Sequence, residues 1–459
     1  MLFAQALLIL SCFYAFFGII RDRKRFLLIS IMGLSFSLMT VFNISIRINN
    51  LLVDFLLPLL ALAVLSILYT YRDHLFKACI VTTPIMGLLS IVKNSGLFFY
   101  AICIVCLMYY VIKSFKKTKI KQNVKLFFAS LVTIAFSILP YIVWNLHTKI
   151  GLQGTLSKHT LSVENFQEVS SEKSAETIRL IIDRFFEAIF SFDSLSTRGI
   201  LLFHFLMIAS YLITFIVLKK RWNSLKVLLL LDIGVVLYYI GNLAMFIYTM
   251  PTEEALVLAG LERYLSSMVL FFIGIVTFNI IINIENSLHV QQGAKRDYKA
   301  FKNIRTKQLY QNTALICTAI GLSFLFSEIN GMNSMNQDYS TSVPGRVTSL
   351  VGDQMTLNTQ DKFLVYAEDT DGQVTNFNLQ YAAKYFLFSA NVTGISSFTE
   401  EDMNLLDAYD YVLIMDENTQ LTSAIERTTS EDSLAGLYKI NHQKLTKVPF
   451  SDTVDFASR

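Results

Sequence analysis

Thr82–Tyr110 reads TTPIMGLLSIVKNSGLFFYAICIVCLMYY. The stretch is apolar nearly throughout, yet Lys93 and Asn94 stand near its middle. One unbroken helix would hold an ammonium group halfway across a bilayer, where a lysine costs about 2.5–3.5 kcal/mol. A break at Asn94-Ser95-Gly96 removes most of that cost. Two shorter spans then meet at a membrane surface, Gly96 allows the turn, and Lys93 becomes a cation at the boundary with water. Which reading holds decides the side on which every later loop lies.

The rest of the chain belongs to the same class. Of 459 residues 53% are hydrophobic and only 16% charged, with a mean hydropathy of +0.49. A soluble domain carries about a quarter charged residues. These values indicate an α-helical polytopic membrane protein. A net charge of +4 gives no footprint for nucleic acid, and none is expected as a partner. The five cysteines all lie in apolar segments, so a disulfide framework is not expected. Cys103 and Cys106 form a CxxC inside an apolar stretch without a second ligand pair, which favours helix packing over metal binding.

A spanning helix needs about 20 apolar residues. Ten candidates emerge: 2–20, 26–46, 51–70, 78–92, 97–112, 126–144, 199–218, 227–249, 264–284 and 311–327. With the N-terminus outside, the inner loops are 21–25, 71–77, 113–125, 219–226 and 285–310. They hold 22 Lys and Arg, against nine in the longer outer segments of the membrane domain. That asymmetry is the positive-inside pattern. It fails if Thr82–Tyr110 is unbroken.

The division expected is a transmembrane domain over 1–327, including an outer loop 145–198, and a small extracytoplasmic α/β domain over 328–459. The outer loop starts polar and becomes amphipathic in TIRLIIDRFFEAIFSF, where Ile178, Ile181, Ile182, Phe185 and Phe186 recur at helical spacing. That piece is expected to lie along the membrane surface. The tail alternates strand-like KFLVYAED, YDYVLIMDEN and LAGLYKIN with helix-like TNFNLQYAAKYFLFS, TEEDMNLLDA and NTQLTSAIERTT. This order suggests a partly parallel sheet. No glycine-rich phosphate loop follows its strands, and DTDG at 369–372 reads as a surface turn rather than a calcium loop.

Several polar residues share the depth of Lys93. Asp54 stands at the outer end of the third span, and AGLERYLSSM puts Glu262, Arg263 and Tyr264 at the outer start of the ninth. Arg47 and Glu253/Glu254 are close in depth. Two readings stand side by side. In one, Lys93 reaches up to lipid headgroups, Glu262 pairs with Arg263 and Tyr264 anchors the interface. In the other, the residues form a site for an anionic lipid headgroup and a polar acceptor.

The segments NNLLVDFLLPLLALAVL, LLSIVKNSGLFFYAI and LERYLSSMVLFF, followed by a tail with KFLVYAED and YDYVLIMDEN, resemble the later two-thirds of a bacterial glycosyltransferase C (GT-C) membrane protein. The resemblance implies an enzyme of the cell envelope that takes a sugar from a polyisoprenyl-phosphate lipid at the outer face of the cell membrane and passes it to a glycan acceptor. It makes Asp54 and Glu262 catalytic carboxylates, gives Lys93 and Arg263 to the carrier phosphate, counts Asn94 among the substrate-binding residues, and lines the pocket with Tyr264. A divalent cation is the one cofactor that a carboxylate here would help to hold. Such enzymes place their principal aspartate in the first outer loop. Here the first span leads straight into RDRKR, and SIRINN has no acid before Asp54. The first span also begins at Met1 with no basic segment ahead of it. Together these lead to the expectation that an upstream catalytic portion is missing.

Overall fold

The computed structural model describes residues 2–21, 25–42, 53–115, 120–151, 173–218, 223–287, 304–351, 360–368, 376–425, 434–441 and 444–448. Arg47, residues 152–172 of the 145–198 loop, the DTDG turn and most of the basic loop residues lie outside these ranges. The chain divides into two compact units, Met1–Glu328 and Ile329–Arg459.

The first unit is helical. Its elements are α1 Leu2–Phe16, α2 Phe26–Val41, α3 Leu56–Thr70, α4 Leu75–Val92, α5 Gly96–Ser114, α6 Ile120–Gly151, α7 Ala175–Phe190, α8 Leu195–Ile213, α9 Ser224–Tyr248, α10 Thr252–Leu256, α11 Leu261–Ser287 and the start of α12 Ile304–Gln337. Among the described residues eight helical stretches are long and apolar enough to cross a membrane, which makes this a multi-pass membrane protein architecture. The two remaining candidates, Phe3–Ile19 and Phe26–Val41, are shorter apolar helices. The sequence closes the sixth span at 144, whereas α6 runs on to Gly151. No helix breaker intervenes before that glycine, so polar Asn145–Lys149 continue the turn pattern beyond the apolar part.

The helices α3 and α11 form the centre, with 78% of the residues buried in an apolar 18-residue stretch through each. Both are apolar on all sides, as a helix enclosed by other helices must be. Small residues let neighbours close on them, the usual device where lipid supplies no hydrophobic drive between helices. A Cβ on Gly274 of α11 would lie 2.2 Å from Leu62 Cδ1 of α3. This close approach aligns the start of α11 with the residues that lead into α3. The amphipathic piece folds as α7, its N-cap Ser174 accepting from the Thr177 N–H. Ile181 and Phe185 are buried against Phe246, Leu261, Tyr264 and Leu265, while Phe186, Phe190 and Phe192 stay exposed.

The second unit holds a five-stranded sheet in the order β2-β1-β3-β4-β5. The strands are β1 Phe363–Tyr366, β2 Val392–Ile395, β3 Tyr411–Ile414, β4 Gly436–Asn441 and β5 Lys444–Lys447. β1 runs parallel to β2 and β3, whereas β3–β4 and β4–β5 are antiparallel. Alternation sets the layers. Phe363 and Val365 pack under α13 Val343–Val351 and α14 Asn376–Leu387, and Leu364 and Tyr366 face a 3-10 segment Glu400–Ala408 and α15 Thr419–Ala424. The capping box of that 3-10 segment gives Asp402 the backbone N–H and hydroxyl of Thr399, which hold its carboxyl below the usual carboxylate value. Strands β2 and β5 are absent from the sequence reading. Val392–Ile395 follows an Asn and contains a Gly, and Lys444–Lys447 is polar on one face, so neither forms an apolar run.

Candidate functional site

The break in Thr82–Tyr110 is real. α4 ends at Val92, Lys93 is extended (φ −163°, ψ 148°), and α5 begins at Gly96. The carbonyls of Lys93 and Asn94 accept from the N–H groups of Gly96 and Leu97 at 2.8 and 3.1 Å. Gly96 serves the turn in a different way from the one expected. Its φ is not left-handed; instead a Cβ there would come within 2.5 Å of the Leu89 carbonyl oxygen and 3.2 Å of Leu57 Cδ2. The need is for space, so that α5 can leave the end of α4 at close range.

Two other elements reach the same place. A single 3-10 turn, Val53–Phe55, precedes α3 and buries Asp54 to 2% exposure. The Ser267 hydroxyl of α11 donates to the Asp54 carbonyl at 3.0 Å. Ahead of α11 the backbone is left-handed at Leu258 (φ 50°) and Gly260 (φ 75°). That turn sets Gly260 against the Arg263 guanidinium, where a Cβ would lie 3.4 Å from Nη2.

What assembles is a carboxylate between two cations. Lys93 Nζ donates to Asp54 Oδ1 at 2.5 Å, and Arg263 Nε lies 3.5 Å from Asp54 Oδ2. Tyr264 completes it. Its ring lies 4.7 Å from Lys93 Nζ and 4.9 Å from Arg263 Cζ, and its hydroxyl accepts from Arg263 Nη2 at 2.9 Å. Tyr264 is fixed in turn by Tyr238, whose hydroxyl donates to the Tyr264 carbonyl at 3.1 Å. Lys93 and Arg263 remain roughly a quarter exposed while Asp54 is buried.

The formal charge of Asp54, Lys93 and Arg263 together is +1, and both cations keep N–H groups that Asp54 does not use. Arg263 Nε and the Ser95 hydroxyl are buried donors with no hydrogen-bond partner among the described residues. The arrangement suits an incoming anion with several acceptor oxygens. It does not suit a divalent cation, because its one carboxylate is already matched by two positive charges. Among the described residues no group of three or more His, Cys, Asp or Glu converges as metal ligands would.

Of the residues chosen from sequence, Asp54, Lys93, Arg263 and Tyr264 meet. Asn94 is exposed on the turn beside them. Glu262 does not pair with Arg263. It faces the N-terminus of α8, accepting from Ser194 Oγ at 2.8 Å, Ser196 N at 2.8 Å and Ser196 Oγ at 3.0 Å. Residues i and i+1 of a helix point about 100° apart, which sends the two neighbours to different partners. Sequence reasoning missed Ser95 and Ser267, although both stand inside the quoted KNSG and LERYLSSM. It also missed Lys173, which is buried and caps α9 by donating to the carbonyls of Phe246, Ile247 and Met250 at 2.9, 2.7 and 2.6 Å.

A second polar pair lies within the helices. His204 Nε2 of α8 is 2.8 Å from Asp232 Oδ1 of α9, and His204 Nδ1 is 2.8 Å from the Ile200 carbonyl.

Compared with protein-family models, curated proteins and solved structures, the chain matches none.

Proposed function

We propose that the chain is a GT-C-like membrane glycosyltransferase that takes a sugar from a polyisoprenyl-phosphate donor for a cell-surface glycan acceptor. In this reading ten spans place the N-terminus, the Lys93 cluster and the C-terminal unit on the extracytoplasmic side, with the basic loops inside. One observation carries it: a cation excess built from three separate elements at a helix end, around a carboxylate that cannot neutralise it.

Lys93 and Arg263 hold the phosphate, with Tyr264 packed against both. Asp54 is their counter-ion and keeps the two ammonium and guanidinium groups in register while the site is empty. In the transfer, the bond from the anomeric carbon to the phosphate oxygen breaks and a bond to the acceptor oxygen forms. Positive charge develops on the sugar and negative charge on the departing phosphate, and fixed cations at that phosphate lower the barrier. The acceptor hydroxyl proton passes to the departing phosphate. The exposed rings of Phe186 and Phe190 on α7, and of Phe192 just beyond it, suit contact with an isoprenoid chain.

The experiment is transfer of label from a radiolabelled polyprenyl-phosphate sugar in membranes carrying the chain. Lys93→Gln and Arg263→Gln are each expected to reduce transfer by about 10²–10³-fold. Unchanged surface-glycan decoration after deletion of the gene counts against the reading. A carrier for lipid-linked oligosaccharide is the second reading, favoured by the His204–Asp232 pair within the apolar helices.

A further inference from the structure

A cavity of about 520 Å³ opens at the opposite end of the first unit, where α3 turns into α4 and where α5 ends and α6 begins. It lies about 27 Å from Asp54 along the axis of α3, by the rise of eighteen helical residues, and so is separate from the Lys93 cluster. Its volume falls in the range of small-molecule sites, roughly 300–1,000 Å³.

Charge and shape define its occupant. The titratable groups that line it are Arg72, Lys77, Lys113, Asp73, His74 and Tyr110. Three permanent cations face one carboxylate, and none of the three has a carboxylate partner among the described residues. Arg72 is pre-set for an anion. It donates to the Tyr69 carbonyl at 2.6 Å through Nη1 and rests 4.2 Å from the Tyr69 ring centroid, which leaves its other N–H groups unspent. Lys113 is held in a similar way by Tyr109, with Nζ 3.4 Å from the hydroxyl. Leu75 and Leu126 give the cavity apolar walls. The helix faces that leave it carry Phe76, Ile80 and Ile112, all exposed and apolar. A cationic cup that opens onto bare apolar helix matches a molecule with a phosphate head and hydrocarbon tails.

We propose that this cavity binds the phosphate of an anionic phospholipid, with the acyl chains lying along Ile80 and Ile112. The site is independent of the glycosyltransferase reading.

The test is native mass spectrometry of the full chain, delipidated in detergent, with phosphatidylglycerol or phosphatidylcholine added at equal concentration. Each cation near an anionic headgroup contributes about fivefold in affinity. Phosphatidylglycerol is therefore expected to bind at least about tenfold more tightly than phosphatidylcholine. The triple variant Arg72→Gln/Lys77→Gln/Lys113→Gln is expected to lose that preference, and the charge-matched triple Lys362→Gln/Lys384→Gln/Lys439→Gln to keep it. Asp73→Asn keeps all three cations and should tighten phosphatidylglycerol binding severalfold, which provides a reading if the first triple fails to fold. Equal retention by wild type and the first triple, or no effect of Asp73→Asn, overturns the site. Displacement of the lipid by millimolar glycerol 3-phosphate overturns the lipid assignment in favour of a soluble phosphate.

Discussion

Lys93 and Asp54, separated by 39 positions of chain, share a 2.5 Å hydrogen bond at one end of the helical unit. This bond explains how a lysine is tolerated beside two apolar spans. The break brings it out of the helix, and a buried carboxylate receives it. A lysine that merely reached for lipid headgroups would have no energetic coupling to residue 54. A double-mutant cycle with Lys93→Gln and Asp54→Asn should instead show coupling of about 1–3 kcal/mol. Asp54→Asn alone should cost less than a fully buried pair would, because Lys93 and Arg263 can still reach water. Thermal unfolding in detergent measures both. Additive effects of the two substitutions would return Lys93 to the headgroup reading.

Gly96 offers a test of the break itself. An added methyl at this position meets the Leu89 carbonyl at 2.5 Å, a backbone atom with little room to yield. Gly96→Ala should destabilise the unit by about 1–3 kcal/mol. At Gly241, inside α9, a Cβ meets nothing within 4 Å, so Gly241→Ala should be neutral or stabilise by up to about 1 kcal/mol. Similar outcomes at the two positions would mean that α4 and α5 do not approach so closely.

Glu262 separates catalysis from architecture. Its carboxylate accepts three hydrogen bonds at the start of α8. Glu262→Ala leaves buried serine and backbone donors unmatched and should cost about 2 kcal/mol or more, whereas Glu262→Gln keeps one acceptor oxygen and should cost about half as much. Transfer activity per folded molecule should be close to wild type for Glu262→Gln. A loss of more than about tenfold with unchanged unfolding temperature would give Glu262 the part of a reacting acid.

The membrane class, the position of the break and the meeting of Asp54, Lys93, Arg263 and Tyr264 were all legible in the sequence, because each follows from one-dimensional rules. Apolar length sets the spans, and polar residues at equal depth converge. What stayed hidden depends on direction around a helix axis or on distant partners. Glu262 and Arg263 are adjacent in sequence yet serve different neighbours. Lys173 stands in a polar stretch with nothing to mark it as the cap of a helix more than seventy residues away. The exact need for Gly96 rests on the approach of α5 to α4, which no local pattern encodes. Strand β5 is legible only as a partner of β4, since its polar face gives no apolar alternation of its own.

The His204–Asp232 pair distinguishes the two functional readings. The Ile200 carbonyl can only accept, so His204 Nδ1 carries hydrogen. The short contact between Nε2 and Asp232 Oδ1 then requires one further proton between them, on the imidazole or on the carboxyl. Either way the pair is neutral overall, which is how two ionisable groups remain within apolar helices. Asp232→Asn imitates the protonated carboxyl and can donate to Nε2, so it should leave the unfolding temperature almost unchanged. Asp232→Leu strands the imidazole and should cost about 1–3 kcal/mol, much of it recovered in the double variant His204→Leu/Asp232→Leu. Proton-linked lipid transport would be abolished by Asp232→Asn despite normal folding, because the exchangeable proton is gone. Sugar transfer at the Lys93 cluster would persist. Loss of glycan transport in that well-folded variant, with transfer from the polyprenyl donor undetectable in wild type, would decide for the carrier.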